Sequence, residues 1–133
     1  LYALSQVQTM NPTDQTMPSK FTKTQNKQLQ GMAGALANFN ELYAEMSSMQ
    51  MRVFIAVARR GPLTGRDIAT SLSMSGPNVS RCVAMLSDVM IPSRKTQSLG
   101  LVELSTDPMD RRVRYVQLSQ KGEEFVNQIT ANF

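Results

Sequence analysis

The chain lacks histidine and tryptophan and has a single cysteine, Cys82, among its 133 residues. One cysteine cannot form an internal disulfide. Without histidine, the common zinc ligand sets and the histidine-dependent catalytic triads are excluded, and most classes of hydrolase are excluded with them. The sequence therefore predicts a protein that is not an enzyme, with no catalytic residue, no metal and no cofactor.

Long apolar runs are missing as well. No segment approaches the roughly 20 apolar residues of a membrane-spanning helix. The first ten residues have neither the basic region nor the apolar region of a signal peptide, so we expect none. A hydrophobic content of 41% is ordinary for a soluble protein, and 133 residues are enough for one domain with its own core. We expect no membrane partner.

The positive charge is concentrated in the middle of the chain. The whole sequence has a net charge of +4. Between Arg52 and Arg114 there are ten basic and five acidic residues, which gives this segment alone a net charge of +5. Such a centre is typical of a phosphate-binding face. On charge alone, an ordinary solvated surface is an equal alternative.

The N-terminal part divides into an arm and two helices. Residues 1–24 are polar and contain Pro12 and Pro18, which predicts a flexible arm before a domain at 25–133. A helical period over 25–46 predicts a first helix that forms part of the core or a dimer seam. Its apolar positions are Leu29, Met32, Ala33, Leu36, Phe39 and Tyr43. Gly31 and Gly34 indicate a close approach of another helix.

A second helix is predicted at about 49–59, with Ser47 or Ser48 as its N-cap. Gly61 is expected to end it in a left-handed conformation, before Pro62. The apolar face of this helix is predicted to comprise Met51, Phe54, Ile55 and Ala58.

Two short helices follow with a tight turn between them. Thr64 and Asp67 have the spacing of a capping box, which predicts a helix of about eight residues. After a turn at residues 73–74, Ser75 caps the next helix and Pro77 lies in its first turn. The inward residues of this helix are Val79, Cys82, Val83 and Leu86, and its outward residues are Gly76, Asn78, Ser80, Arg81 and Ala84.

Small and polar residues on that outward face are typical of a recognition helix. Asn78 can pair with adenine, and Arg81 can pair with guanine or grip a phosphate. Two alternating segments, 101–105 and 113–118, predict a hairpin with arginines at 111, 112 and 114 at or beside its tip. A last helix, capped by Ser119, is predicted to turn Phe125, Val126 and Ile129 inward.

Residues 88–99 interrupt this pattern, and Pro92 ends the helix before them. We expect residues 93–98 to be exposed. Arg94 and Lys95 within them either reach DNA phosphates or belong to a plain surface loop.

The predicted fold is mainly α with a small β-hairpin, a winged helix-turn-helix, and the predicted partner is double-stranded DNA. The candidate DNA-binding residues are Thr64, Ser75, Gly76, Pro77, Asn78, Ser80, Arg81, Arg94, Lys95, Asp110, Arg111, Arg112 and Arg114.

Several segments resemble the MarR family of winged-helix transcription regulators. They are G-P-L-T-G-R-D-I-A-T-S-L (61–72), S-x-x-x-V-S-R-x-V-x-x-L (75–86), G-L-V (100–102), D-P-M-D-R-R (107–112) and L-S-Q-K-G (118–122). The resemblance covers about residues 29 to 126. It implies a symmetric dimer on a pseudo-palindromic site, with the recognition helix in the major groove. It also implies that Asp110 orients Arg112 into the adjacent minor groove.

The chain departs from the family in two places. Residues 88–99 include an insertion of about ten residues, and the chain ends at Phe133, before the helix that completes the family's dimer interface. We therefore expect a homodimer through the helix at 29–46 and the C-terminal helix, and a small-molecule effector stays open.

The function predicted is a sequence-specific regulator, a repressor, in the cytoplasm (nucleoid-associated) of a bacterium, archaeon, phage or plasmid host. The alternatives are a DNA-binding protein of plasmid or phage replication or control, and a winged-helix protein-interaction module. Arginines clustered at one hairpin tip argue against the interaction module.

Overall fold

The computed structural model describes residues 20–87 and 98–133. Within these ranges the chain forms five helices and a three-stranded antiparallel sheet, which confirms the predicted winged helix-turn-helix. The elements are α1 (Lys23–Leu42), α2 (Ser48–Arg60), β1 (Leu63–Thr64), α3 (Gly65–Leu72), α4 (Gly76–Leu86), β2 (Val102–Thr106), β3 (Arg114–Leu118) and α5 (Gln120–Thr130). No helix in the described ranges has the length and apolar character needed to cross a membrane.

Every described helix begins after a hydroxyl-bearing residue. The N-caps are Thr22, Ser47, Thr64, Ser75 and Ser119, and each side-chain oxygen accepts a hydrogen bond from a backbone N–H in the first turn. These bonds satisfy donors that a helix start leaves without a partner. The predicted starts of α2 to α5 are therefore confirmed. The first helix begins at Lys23 and ends at Leu42, four residues before its predicted end.

The end of α2 differs from the prediction. Gly61 has φ −64° and ψ 158°, so the expected left-handed glycine cap is wrong. Glycine is required there for space, because a Cβ atom would lie 2.6 Å from the carbonyl oxygen of Val57. In the described residues the left-handed positions are Ser73, with φ 53°, in the turn between α3 and α4, and Gly100, with φ 68°.

Three phenylalanines join the helices in the core. Phe39 of α1, Phe54 of α2 and Phe125 of α5 meet edge to face, with ring centroids 5.1 to 5.8 Å apart. This is the favourable arrangement of aromatic quadrupoles. Phe39 is only 2% exposed, so α1 contacts the core near its C-terminal end.

The predicted apolar face of α1 is split in the structure. Phe39 and Tyr43 pack on the core, whereas Leu29, Met32 and Leu36 are about half exposed. The glycines between them do have a close neighbour, but it is the segment after α5 and not the predicted helix. A Cβ atom on Gly31 would lie 2.6 Å from the ring of Phe133, and one on Gly34 would clash with Asn132.

The predicted apolar face of α2 is also partly wrong. Ile55 is exposed, whereas Val53, Ala56 and Val57 are buried beside the expected Met51 and Phe54. The reason is that α2 contacts α3, α4, α5 and β3, so it is buried over a wider arc than one amphipathic stripe.

The sheet has the order β1–β3–β2. In the hairpin, Val102 lies opposite Leu118 and Thr106 opposite Arg114. The two-residue strand β1 was not predicted: Leu63 pairs with Val116 and Thr64 with Tyr115. This pairing ties the start of α3 to the returning strand of the hairpin.

Residues 88–97 lie outside the described residues, and so do the predictions for Arg94 and Lys95. The flanking residues are bonded to each other. The backbone N–H groups of Leu99, Gly100 and Leu101 donate to the carbonyl oxygens of Met85, Ser87 and Leu86, at 2.7 to 3.1 Å. The chain thus returns to the point at which it leaves α4. Residues 1–19 of the predicted arm are likewise outside the described residues, and the domain boundary at 25 stays a prediction.

Candidate nucleic-acid interface

Helix α4 separates an apolar face from a polar one, as the sequence predicts. Val79, Cys82, Val83 and Leu86 are buried. Burial also raises the pKa of the Cys82 thiol, as expected for a small core residue. Gly76, Pro77, Ser80 and Arg81 are exposed on the other side. Packing of the inward face therefore fixes which way the polar side chains point.

The two predicted base-contacting residues of α4 contact each other. Nη1 of Arg81 donates to Oδ1 of Asn78 at 3.0 Å. The residues are three apart on the helix, so both side chains lie on the same side. The amide oxygen of Asn78 orients the guanidinium, and its amide nitrogen can donate in another direction.

The predicted cap residues hold their helices in place. The hydroxyl of Thr64 accepts from the N–H of Asp67 at 3.1 Å, and the Asp67 carboxylate accepts from the N–H of Thr64 at 3.2 Å. Ser75 accepts from the N–H of Asn78 at 3.3 Å.

Next to the Thr64 cap, Arg66 is exposed in the first turn of α3. It is absent from the predicted set, although a basic residue beside a predicted helix start was a visible signal.

The hairpin turn, residues 107–113, is organised by the carboxylate of Asp107, which is not among the predicted site residues. Oδ1 of Asp107 accepts from the N–H of Met109 at 2.7 Å and of Asp110 at 3.3 Å. Oδ2 accepts from the hydroxyl of Tyr115 at 3.0 Å. The bonds from Met109 and Tyr115 lower the pKa of Asp107, and the same carboxylate raises the pKa of Tyr115. An aspartate at a D-P turn is the available sequence signal.

The predicted pair Asp110 and Arg112 is brought together. Nε of Arg112 donates to Oδ1 at 3.1 Å, Nη2 donates to Oδ2 at 3.2 Å, and the Arg112 backbone N–H donates to Oδ1 at 3.1 Å. These bonds lower the pKa of Asp110. The Arg112 side chain is 90% exposed, against 41% for Asp110. The pair thus fixes the plane of a guanidinium that stays open to solvent.

An open cleft of about 330 Å³ separates α4 from the hairpin. Its lining includes Ser80 and Ala84 of α4, Leu104 and Arg114 of the hairpin, and Gly65 of α3. Two predicted site residues, Ser80 and Arg114, therefore border one concave surface. Arg111 is exposed in the hairpin turn.

The described chain resembles solved structures of transcriptional regulators. A regulator from Thermotoga maritima superposes with a TM-score of 0.62 at 18% identity, over 82% of this chain and 66% of its own. MepR of S. aureus, solved as a MepR–DNA complex, gives 0.61 at 21% identity, over 83% and 78% of the two chains. A MarR-like regulator from Thermotoga maritima gives 0.57 at 29% identity, over 85% and 76%.

The chain thus spans just under two thirds of the length of the first of these structures. No protein-family model matches the chain, and no curated protein sequence matches it either. The structural likeness, together with the order of helices and strands, establishes a MarR-like winged-helix fold.

Proposed function

We propose that the chain is a sequence-specific regulator of transcription that binds double-stranded DNA. In this proposal α4 enters the major groove and Arg112 enters the adjacent minor groove. The observation that carries the proposal is the bidentate pair of Asp110 and Arg112 at the tip of an exposed hairpin. The solved complex of MepR with DNA, which has the same fold, supports it.

The exposed face of α4 suits the major groove, which is about 12 Å wide and admits one helix. The first turn has small residues, Gly76 and Pro77, which allow the backbone to come close to the base edges. Asn78 and Arg81 have the side chains that pair with adenine and guanine. Their mutual bond sets both groups in one orientation before DNA arrives.

The hairpin suits the minor groove. A narrow A·T-rich groove has an enhanced negative potential that attracts arginine. Because Asp110 accepts two hydrogen bonds from the Arg112 guanidinium and a third from the Arg112 backbone N–H, less side-chain freedom is lost on binding. A surface ion pair of this kind adds little to folding stability, so a role in orienting the arginine explains its geometry better.

We propose that the regulator is a homodimer on a pseudo-palindromic site. Residues 29–36 of α1 include the exposed Leu29, Met32 and Leu36, and Phe133 is exposed beside Gly31. Exposed apolar side chains that lie together mark an association surface. Phe39 and Tyr43, which lie in the helix predicted to form the dimer, pack on the core, so the proposed seam lies closer to the start of α1.

Light scattering tests this seam. Leu36→Glu is expected to give a monomer, because a carboxylate cannot be desolvated in an apolar contact. Ile55→Glu, at an exposed apolar position of α2, is the control and is expected to leave the dimer intact. A Leu36→Glu protein that remains dimeric would remove α1 from the interface.

The proposed role is repression, by occupying a promoter, in the cytoplasm at the nucleoid. The second candidate is a DNA-binding protein of plasmid or phage replication or control, which would use the same surface.

Selection of bound sequences from random duplex DNA tests the proposal. We expect a palindromic consensus with A·T-rich flanks, because two α4 helices and two hairpins would read symmetric half-sites. An asymmetric consensus would favour the replication role, and the absence of any consensus would contradict sequence-specific binding.

A further inference from the structure

We infer that Met109, at the hairpin tip, is a second minor-groove residue: an apolar wedge that packs against a base step beside Arg112 and bends the duplex. This inference rests on the proposed function. It adds a specificity-determining residue to the site, and a preference for deformable DNA.

The first observation is the exposure of Met109. Its side chain is 93% exposed, the most of any large apolar residue in the described ranges, where the others reach at most 60%. It therefore contributes little to the core. A methionine in such a position exposes apolar surface to water without any return in folding stability.

The second observation is that the backbone under this side chain is held in place. The N–H of Met109 donates to Oδ1 of Asp107 at 2.7 Å. Asp107 is bonded in turn to the hydroxyl of Tyr115 on β3 and, through its own N–H, to the carbonyl oxygen of Val113. The turn is thus anchored to the sheet, and it presents Met109 in a defined position.

The third observation is the arrangement of the turn as a whole. Asp107 holds the backbone of Met109, and Asp110 holds the side chain of Arg112. Two carboxylates therefore position two projecting residues, one apolar and one cationic. Arg111 and Arg114 add positive charge on either side, so the expected partner of the tip is a polyanion.

In duplex DNA, the surface that suits an apolar side chain beside an arginine is a step between base pairs in the minor groove. Proteins that bind the minor groove insert methionine, leucine or phenylalanine between base pairs and kink the duplex toward the major groove. Methionine is unbranched and flexible, which suits a narrow groove. The insertion costs least at TA and CA steps, because these steps unstack easily. A wedge at Met109 therefore predicts a preference for such a step under the hairpin.

The test uses the full chain and two versions of a selected duplex, with either a TA step or a stiff AA step under the hairpin. Affinity is measured over a range of salt concentrations, and the bend is measured by energy transfer between dyes at the duplex ends. Met109→Ala is expected to weaken binding to the TA duplex by about tenfold, the loss of one apolar contact. It is also expected to reduce the bend and abolish the preference for TA.

Met109→Leu is the matched variant and is expected to retain the affinity, the bend and the preference. Neither substitution is expected to change the melting temperature, because the side chain lies outside the core, or the salt dependence, because no charge is lost. Arg112→Ala, by contrast, is expected to flatten the salt dependence.

The outcomes separate this inference from the proposed function. If wild type binds the duplexes and Met109→Ala matches it in affinity, bend and step preference, the wedge is overturned and DNA binding stands. A changed salt dependence for Met109→Ala would also overturn it, because the substitution would then act through the arginines. If wild type binds no duplex at all, both proposals fail.

Discussion

Helix α4 and the hairpin turn are held in place by different forces. Val79 and Leu86 fix α4 by packing into the core, so its orientation depends on the same contacts as the fold. The turn is fixed by Asp107 and Asp110 through hydrogen bonds at the surface. The helix is therefore expected to lose its position only when the protein unfolds. The turn, by contrast, is expected to become disordered when these hydrogen bonds are lost, while the rest of the protein stays folded.

The largest expected effect is a loss of folding stability caused by a substitution in α4. Leu86→Ala should lower the free energy of unfolding by about 2–5 kcal/mol, because Leu86 is fully buried and truncation leaves a cavity. Leu104→Ala on β2 is the control and should cost much less, since Leu104 is 37% exposed. Chemical denaturation measures both. Equal losses would mean that α4 is not more strongly coupled to the core than the hairpin is.

The next largest expected effect is a loss of DNA affinity caused by a substitution in the hairpin turn. Arg112→Ala should leave the unfolding free energy unchanged and weaken DNA binding by about 1–3 kcal/mol, most on sites with A·T-rich flanks. The measurement is affinity on two duplexes that differ only in their flanks. A loss of the same size on G·C-rich flanks would count against insertion into the minor groove.

Removing the support of the turn should have a smaller effect than removing Arg112. Tyr115→Phe deletes only the hydroxyl that donates to Asp107, so the fold should persist while the turn becomes more mobile. Backbone NMR should show faster motion at residues 107–113, with α4 unchanged. A Phe variant whose turn is as ordered as in wild type would show that the bonds from Met109 and Asp110 are sufficient.

The same bonds predict how the turn responds to acid. The folded pKa values of Asp107 and Asp110 are lowered from an ordinary value of 3.8. The ordering that depends on these carboxylates is therefore fully present above about pH 4 and is lost as the pH falls through the lowered pKa values. Amide chemical shifts of residues 107–113 in an acid titration measure this. Transitions above pH 4 would contradict the assigned bonds.

The difference between α4, which is fixed by packing, and the turn, which is fixed by surface hydrogen bonds, also explains which features the sequence could predict. Hydroxyl caps and the helical period are local patterns, so the starts of α2 to α5 and the inward face of α4 were predictable. The burial of Val53 and the exposure of Leu36 depend on which helices lie against α2 and α1, which a single helix does not encode. The bond between Asp107 and Tyr115 joins residues eight apart across a hairpin, so it required the register of the strands.

The smallest expected effect concerns residues 88–97. Neutralising Arg94 and Lys95 to glutamine should flatten the slope of log affinity against log salt by about one to two units per protomer, if both contact phosphates. The preferred sequence should not change, because phosphate contacts do not read bases. Neutralising Lys23 and Lys27 of α1 is the control. An unaltered slope in the first variant would favour a protein partner for this segment.

The central claim is that α4 and the hairpin turn contact different parts of one DNA site. Its most direct test is selection from random duplex DNA with three proteins in parallel: wild type, Asn78→Ala and Arg112→Ala. The account predicts that Asn78→Ala changes the bases preferred within each half-site and keeps the A·T-rich flanks. It predicts that Arg112→Ala keeps those bases and loses the flank preference. The contradicting result is that the two variants change the same positions, or that neither changes the consensus of wild type.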